Sequence, residues 1–551
     1  MGAEQPAANA GGQEQASASF AAWLRSWRYF ILLLCLALVV ALFYGEENWR
    51  GNRAWNKYKQ QLAANGIPTE PAAVIPKPVP LSENFAATPF LAPLFDFIPG
   101  TQRWRTTNGI GRAQGFGSSY DAVSRNLKPT KVDPTNSWIN ARMDLRAWNL
   151  AFQLGTNAPK SINSESAMVP AAHLKEAAEG VLNGLSECDP VIEELRAASR
   201  RRYSRFDLKY DDEDPAAILL PHLAVLKHVS QILQLRACAE LALGHTDDAA
   251  SDAELLLYVA NATREEPVMV SHLVRMTQLR LVIQVIAEGM GQWSDPQLRS
   301  FQESLLHFDF CADMQRSLDA ERVFFGGGMI DYVRRNPEMF SALSGSGTGK
   351  NLDLPGVLLT IAPSGWFGFE KVNYNRAFDV YRMPGLGLQA DHISPKATTE
   401  AANRMTQLAA RPWPVLFLRH RVFCAMLLPG FAGILTKAAF SQTAANVAAI
   451  ACALERYRLA NNSFPESLNS LVHSQVSGSG TAGNQSAPGF FMDHLPADVI
   501  NRQPLIYRRT EDGRYVLYSV GWNEKDDGGT NVVTKGEGDI PLQGDWVWRP
   551  L

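Results

Sequence analysis

The feature that most constrains this chain is residues 29–44, a run of apolar and aromatic side chains without a single charge. At about 1.5 Å per residue, a helix of this length spans roughly 24 Å, somewhat short of the ~30 Å hydrocarbon core of a bilayer. Trp27 and Tyr44 suit the membrane interface, and Arg25 and Arg28 can reach the lipid headgroups. The run therefore predicts a single membrane anchor.

Two other interpretations of this run remain open. A secretory signal peptide would need a small-residue cleavage site, but the run ends in Leu42-Phe43-Tyr44-Gly45. A buried helix of a soluble domain can be equally apolar. Because a short tail ahead of a single anchor usually stays inside, we expect residues 1–24 in the cytoplasm and the body of the chain outside it.

The composition is typical of a folded chain, and the net charge is small. The 551 residues can bury more than one core, and the hydrophobic fraction of 46% with 19% charged residues is typical of globular proteins. A net charge of −3 gives no electrostatic reason to expect nucleic-acid binding. The six cysteines form no CxxC motif, so their spacing predicts neither a zinc site nor a redox site.

The middle of the chain has helical periodicity. Helices are predicted over residues 219–243, 249–260 and 268–289, where apolar residues recur at three-four spacing. Gly244 is predicted to end the first of these helices and Asp247 to cap the next. This pair resembles half of a tetratricopeptide-type helical hairpin, but no 34-residue period continues, so we predict an α-helical domain and not a regular solenoid.

Motifs that would indicate a nucleotide site or an enzyme are incomplete. GIGRAQG at 109–115 has one residue too many for a dinucleotide fingerprint and follows no predicted strand. SGSGTGKN fails as a phosphate-binding loop because Ser344 and Asn351 stand where Gly and Ser or Thr are needed. The run Arg200-Arg201-Arg202 could pair ions or bind a partner, although such runs are more often solvated. Four histidines lack the spacing of a zinc site: His222, His228, His245 and His272.

The last hundred or so residues combine a helix, a hairpin and an acidic loop. Val447, Ile450 and Leu454 follow the spacing of an amphipathic helix, which should end near Asn461-Asn462 because Asn tolerates the left-handed conformation. Two β-rich runs, 505–509 and 514–520, then flank Glu511-Asp512-Gly513, a strong hairpin signal. An acidic, Gly-rich loop, WNEKDDGGTNVV, follows, and then Gly-Asp-Ile.

This order of elements resembles the globular domain of the major pseudopilins of type II secretion, and of type IV pilin-like proteins generally. The resembling stretches are ALERYRLANNSFPESLNSLV, LPADVINRQPLIYRR, YVLYSVGWNEKDDGG and GDI, which lie in roughly the last fifth of the chain. In a pseudopilin the membrane helix runs directly into this domain, whereas here about 400 residues precede it. The arrangement as a whole also resembles a group of bacterial membrane-anchored proteins of unknown activity.

The resemblance implies a calcium site. In the major pseudopilins the loop after the hairpin binds one calcium ion through acidic side chains and main-chain carbonyls. Calcium takes roughly six to eight oxygen ligands, and Gly528 and Gly529 would let the backbone turn its carbonyls inward. An ordinary solvated loop, in which Asp and Gly are common, is the alternative. The implied ligands are Asn523, Asp526, Asp527 and Asp539.

We predict a mainly α fold with an N-terminal transmembrane helix, an α-helical domain and a C-terminal α+β pilin-like module with a small antiparallel sheet. The apolar segment 414–440 exceeds what a free module needs, so we expect the module to pack against the helical domain. The predicted divisions are a disordered cytoplasmic tail (1–26), the anchor (27–45), a helical stub and Pro-rich spacer (46–140), the α-helical domain (141–343), a loop and aromatic helix (344–411), and a long helix with the pilin-like module (412–551).

The predicted function is a non-enzymatic, envelope-facing scaffold or binding protein, linked to a secretion or pilus-like assembly. We expect it in the bacterial inner membrane as a single-pass protein, with protein partners in the envelope and without nucleic acid or nucleotide. No catalytic or cofactor-binding residue is assigned. The alternative is an extracytoplasmic hydrolase or carbohydrate-active enzyme of the helical domain, for which the sequence offers no paired carboxylates, triad or metal set.

Overall fold

The fold is mainly helical with one small sheet near the C-terminus, which confirms the predicted fold class. The computed structural model describes residues 11–98, 101, 103–128, 136–138, 142–157, 159–162, 173–210, 215, 218–340, 354–385, 391–431, 433–472, 491–532 and 540–550. Contacts divide the chain into two units. The first comprises Met1–Gly66, Ile330–Tyr374 and Pro412–Phe423, and the second comprises Ile67–Met329, Asn375–Arg411 and Cys424–Leu551.

The helices run in chain order as α1 (Gly11–Ala64), α2 (Thr107–Gln114), α3 (Ser118–Ser124), α4 (Leu145–Leu154), α5 (Leu174–Leu185), α6 (Asp189–Ala198), α7 (Pro221–Leu243), α8 (Thr246–Asn261), α9 (Met269–Glu288), α10 (Asp295–Leu306), α11 (Phe310–Val323), α12 (Ile330–Arg335), α13 (Leu354–Ile361), α14 (Ser364–Gly385), α15 (Pro395–Ala409), α16 (Trp413–Leu418), α17 (Val422–Leu427) and α18 (Ile434–Asn461). The strands are β1 (Ile506–Arg509), β2 (Tyr515–Ser519) and β3 (Trp546–Trp548). The predicted division of the chain into independently folding parts stays a prediction.

Helix α1 carries the predicted anchor. Every residue from Phe30 to Phe43 is exposed, and the stretch Phe30–Ala64 is long and apolar enough to cross a membrane. A second stretch, Val422–Asn461, passes the same test of length and composition, but 53% of its most apolar window is buried. The helix begins at Gly11, within the tail for which composition predicts disorder, and residues 1–10 lie outside the described residues.

The first unit holds the second half of α1 through small residues and one amide. Asn48 Oδ1 accepts hydrogen bonds from Gly365 N and from Ser364 Oγ, both at 2.9 Å. Gly51 faces the same turn so closely that a Cβ atom there would lie 1.9 Å from Gly365 O. Only glycine therefore permits this crossing of α1 and α14.

The second unit contains the helical domain. Gly244 ends α7 at φ +86°, as predicted, but His245 is the N-cap of α8 and Asp247 lies in the first turn, so the predicted cap is wrong. The spacer prediction also changes near the domain. Phe85 and Phe90 are fully buried, and the backbone N–H of Phe90 donates to Glu194 at 2.7 Å, so this part of the segment 46–140 belongs to the core.

The sequence predicts a buried helix from Pro414 that is broken at Pro429-Gly430. The structure has this break and a second one near His420, which gives the three helices α16, α17 and α18. His420 adopts φ +53°, and Arg421 N closes the turn by donating to Leu416 O at 2.9 Å, which ends α16. Pro429 then lies in a 3-10 turn ahead of α18. Because proline lacks the amide hydrogen that a helix interior needs, a break before α18 is expected.

The C-terminal elements follow the sequence patterns closely. Helix α18 ends at Asn462, which adopts φ +57°. The strands pair antiparallel in the order β1-β2-β3, and Gly513 adopts φ +80° in the turn between β1 and β2. The predicted helix end and hairpin are therefore confirmed, and the sheet gains β3, which no sequence pattern predicted.

Candidate functional site

Helix α18 is the centre of the C-terminal part, and one of its faces is fixed to the helical domain. Helices α9, α10 and α11 all pack against it. The side chain of Gln442 accepts a hydrogen bond from Phe310 N at 2.7 Å and donates to Phe308 O at 3.0 Å. Arg456, only 3% exposed, bonds Asp295 at 2.8 Å and Gln302 at 3.0 Å. The predicted packing of the module against the helical domain is confirmed.

The other face of α18 packs against the sheet. The ring of Phe440 meets Trp546 edge to face at 5.1 Å. Ser137 covers the outer edge of β3, since its N–H donates to Val547 O and its Oγ accepts from Val547 N, both at 2.9 Å. The indole of Trp138 donates to Phe440 O at 3.3 Å. The segment 136–138 therefore closes one edge of the sheet.

These contacts cover α18 except for its last turn, where residues 459–461 are exposed. All described residues from Ile434 to Arg456 are buried except Lys437. A subunit that assembles through this helix would have to expose part of it to its neighbours. The exposed residues of the module include Arg508 and Arg509 on β1, the edge strand of the sheet.

The structure brings together only some of the predicted calcium ligands. Asn523 Nδ2 donates to the carboxylate of Asp527 at 2.8 Å, so these two side chains are neighbours. Asp526 lies to one side, where its carboxylate accepts from the hydroxyl of Tyr518 at 3.1 Å and from Gly528 N at 2.9 Å. Asp539 lies outside the described residues.

Asp545 organises the acidic loop and was missed by the sequence analysis. Its fully buried carboxylate accepts hydrogen bonds from the N–H groups of Asp527, Gly529 and Thr530, at 3.2, 2.7 and 3.3 Å. Burial raises the pKa of Asp545, and these backbone hydrogen bonds lower it in part. The sequence contains a signal for it: Gly544-Asp545 is a second Gly-Asp pair after the hairpin, six residues beyond the predicted ligand Asp539.

Two carbonyls of the loop face arginines. Arg508 donates to Gly528 O and Arg549 donates to Gly529 O, both at 2.9 Å. These guanidinium groups stabilise the loop by donating to its carbonyl oxygens, while Asp545 stabilises it by accepting from its N–H groups. The side-chain oxygen of Asn523 accepts a hydrogen bond from Lys525 N at 3.1 Å.

Three histidines of the helical domain lie close to the oxygens of glutamate residues. His222 Nε2 lies 2.8 Å from the buried carboxylate of Glu266, and His272 Nε2 lies 2.9 Å from the carbonyl of the same residue. His245 pairs with Glu240 at 2.8 Å and, with Asp248, forms a group of possible metal ligands among the described residues. This group is explained by the ion pair at the turn between α7 and α8.

A known protein family matches the C-terminal part of the chain. Residues 431–535 match the family model described as Type II secretion system (T2SS), protein G. The match includes α18, β1, β2 and the acidic loop, and covers about a fifth of the chain. It confirms the resemblance to a major pseudopilin and supports a role connected with a secretion or pilus-like assembly. Neither curated proteins nor solved structures gave a match to the chain.

Proposed function

We propose that this protein is a membrane-anchored, non-enzymatic scaffold of the bacterial envelope, which presents a pseudopilin-like module to a secretion or pilus-like assembly without polymerising through that module. The burial of α18 carries the proposal. Residues 434–456 are covered by α9, α10 and α11 on one side and by the sheet on another, so neighbouring copies have little of this helix to contact. The module would bind partners through the edge strand β1.

The test is site-specific photo-crosslinking in membranes. We expect a crosslinker at Arg509, exposed on β1, to capture envelope proteins of the assembly. The matched control is a crosslinker at Glu303, exposed on α10, which should capture none of them. Equal capture at both positions, or a ladder of copies of this chain at Arg509, would contradict a scaffold that acts through the module.

The proposed topology has a single inner-membrane anchor with the body of the chain on the extracytoplasmic side. The exposed apolar run Phe30–Phe43 supports the anchor, and a partner assembly in the envelope requires the module to lie on that side. A reporter enzyme that works only in the periplasm should be active when fused after residue 550. Activity of a cytoplasm-only reporter at the same point would show the opposite orientation.

We also propose calcium binding at the acidic loop, on the resemblance and on the closeness of Asn523 to Asp527. A specific ligand stabilises the folded state by mass action, by about 2.7 kcal/mol at a hundredfold excess over its Kd. We expect millimolar calcium to raise the melting temperature of the parent and of the control Asp512→Asn, which alters an exposed hairpin residue, but not of Asp527→Asn. The same melting temperature with calcium and with a chelator in the parent would rule this site out.

A further inference from the structure

The helical domain contains a polar cavity of about 610 Å³ that the proposed function does not use. It lies between the end of α6, helix α8 and the connection from α10 to α11. Its volume falls within the roughly 300–1,000 Å³ of small-molecule sites. Its charged lining is dominated by arginines: Arg196, Arg200, Arg202 and Arg264.

Positive charge behind the cavity exceeds the negative charge that balances it. Asp313, fully buried, is shared by three guanidinium groups: Arg275 at 2.8 Å, Arg264 at 3.5 Å, and Arg316. The buried Arg275 also donates to Asn261, which lines the cavity, at 2.7 Å. In a poorly solvated interior such an excess of cations produces a strong local field. The cavity wall that contains Asn261 and Arg264 is therefore backed by an excess of positive charge.

At the side of the cavity the arginines are balanced, since Arg196 also pairs with Glu193 at 3.1 Å and Arg236 with Asp189. Asp252, 1% exposed, is shared by Arg196 at 2.6 Å and Arg236 at 3.2 Å. Arg200 and Arg202, just after α6, form no ion pair with a carboxylate among the described residues. Both are exposed at the opening, so their guanidinium groups can close on a ligand.

Within the described part of the chain, two buried side-chain atoms of residues that line the cavity lack hydrogen-bond partners. Ser204 Oγ and Arg264 Nε are buried, and Arg264 Nε lies 3.5 Å from Asp313 without hydrogen-bonding geometry. Buried polar groups in proteins are normally hydrogen-bonded, because an unpaired one loses its hydration without compensation. Both atoms are of the kind that a hydrophilic ligand would satisfy.

We propose that this cavity binds a small anion that carries hydroxyl groups, such as a sugar phosphate or a sugar carboxylate. Guanidinium groups recognise phosphate and carboxylate through paired hydrogen bonds. Exposed Glu254 and Glu265 at the cavity can accept hydrogen bonds from ligand hydroxyls, and Tyr258 adds an aromatic face. The site is separate from the pseudopilin-like module and gives the helical domain a ligand of its own.

Titration calorimetry of the full-length protein in detergent tests the proposal with three probes: glucose 6-phosphate, glucuronate and glucose. We expect at least one anionic sugar to bind at least tenfold more tightly than glucose. The anionic probe that binds identifies the recognised group. Raising NaCl from about 0.1 to about 1 M shortens the Debye length from ~10 to ~3 Å, so binding should weaken. Failure of both anionic sugars to bind at millimolar concentration, or equal binding of glucose, would overturn the proposal.

Variants locate the binding in this cavity. Arg200→Gln with Arg202→Gln should weaken binding of the anionic probe at least tenfold, equivalent to about 1.4 kcal/mol. The matched control Arg404→Gln, on the exposed face of α15, should leave the affinity unchanged. Because all three arginines are exposed, the melting temperature without ligand should not change, which separates lost binding from lost folding. An unchanged affinity in the double variant would place any binding elsewhere.

Discussion

Buried carboxylates in this protein hold chain segments by accepting hydrogen bonds from backbone N–H groups. Asp545 accepts three such bonds in the acidic loop. Glu321 accepts one from Met269 N at 3.0 Å, at the start of α9. Glu370, fully buried, accepts from Val422 N at 2.8 Å and Phe423 N at 3.2 Å, at the start of α17. Each carboxylate satisfies amides that a helix or loop start leaves unpaired.

Glu370 should make stability depend on pH. Burial raises its pKa from 4.5 to about 8, against the lowering effect of the two backbone hydrogen bonds. The native state then holds a proton that the unfolded state releases, so stability falls as pH rises from about 4.5 to about 8, by at most about 1.4 kcal/mol per pH unit. Glu370→Gln, which cannot ionise, should gain stability relative to the parent across this window.

The measurement is the melting temperature of parent and variant at pH 5, 6.5 and 8. The control Glu466→Gln changes a glutamate whose side chain is 84% exposed, and it should follow the parent at every pH. If the difference in melting temperature between Glu370→Gln and the parent is the same at all three pH values, Glu370 does not titrate in this range.

At the scale of single residues, the sequence predicts turns better than it predicts hydrogen bonds between residues that are far apart along the chain. Gly513 and Asn462 were predicted because their conformations are local requirements of a hairpin and a helix end. Asp545 was missed because its partners lie 15 to 18 residues away, and only the folded sheet brings them together. Local chemistry alone could not choose between the two Gly-Asp pairs.

At the scale of elements, the crossing of α1 and α14 depends on glycines. A Cβ atom on Gly51 would meet the backbone of Gly365, and a backbone atom cannot move aside as a side chain can. Gly45, on the same helix, has nothing within 4 Å of the position of an added Cβ. The two positions therefore provide a matched pair of substitutions.

We expect Gly51→Ala to destabilise the first unit by at least about 1–3 kcal/mol, the usual cost of an overpacked contact. Gly45→Ala should be neutral or stabilising by up to about 1 kcal/mol, since alanine favours a helix more than glycine does. Thermal melting of both variants in the same detergent checks the difference. Equal melting temperatures would show that the crossing tolerates a side chain.

Element types and the break at Pro429-Gly430 were predictable, whereas other interruptions were not. Residues 324–328 predict a helix break or a close packing point, and the structure forms a π-helix over Phe324–Met329, directly after α11. The end of α16 at His420 gives no sequence signal, because its positive φ is imposed by tertiary contacts. One such contact is the hydrogen bond from Asn373 Nδ2 to His420 O at 2.8 Å.

At the scale of the whole molecule, the pseudopilin-like module should not come free of the helical domain. Trypsin can cut after the exposed Arg421, which is followed by Val422 at the start of α17. Because Gln442 and Arg456 bond the helical domain through buried contacts, the fragment after the cut should stay bound in gel filtration. The double variant Gln442→Ala, Arg456→Ala should release it more readily. Two soluble, separately folded pieces from the parent would contradict this packing.

The contact between Ser137 and Val547 also bears on the order in which the protein is made. The two residues are 410 positions apart, so the edge of β3 meets its cover only after all of the intervening chain has been synthesised. Pairing over such a distance is slow, because the loop must close before the contact contributes stability. Until then Trp138 and the apolar face of α18 lack their cover, and the newly made chain depends on protection from aggregation during this interval.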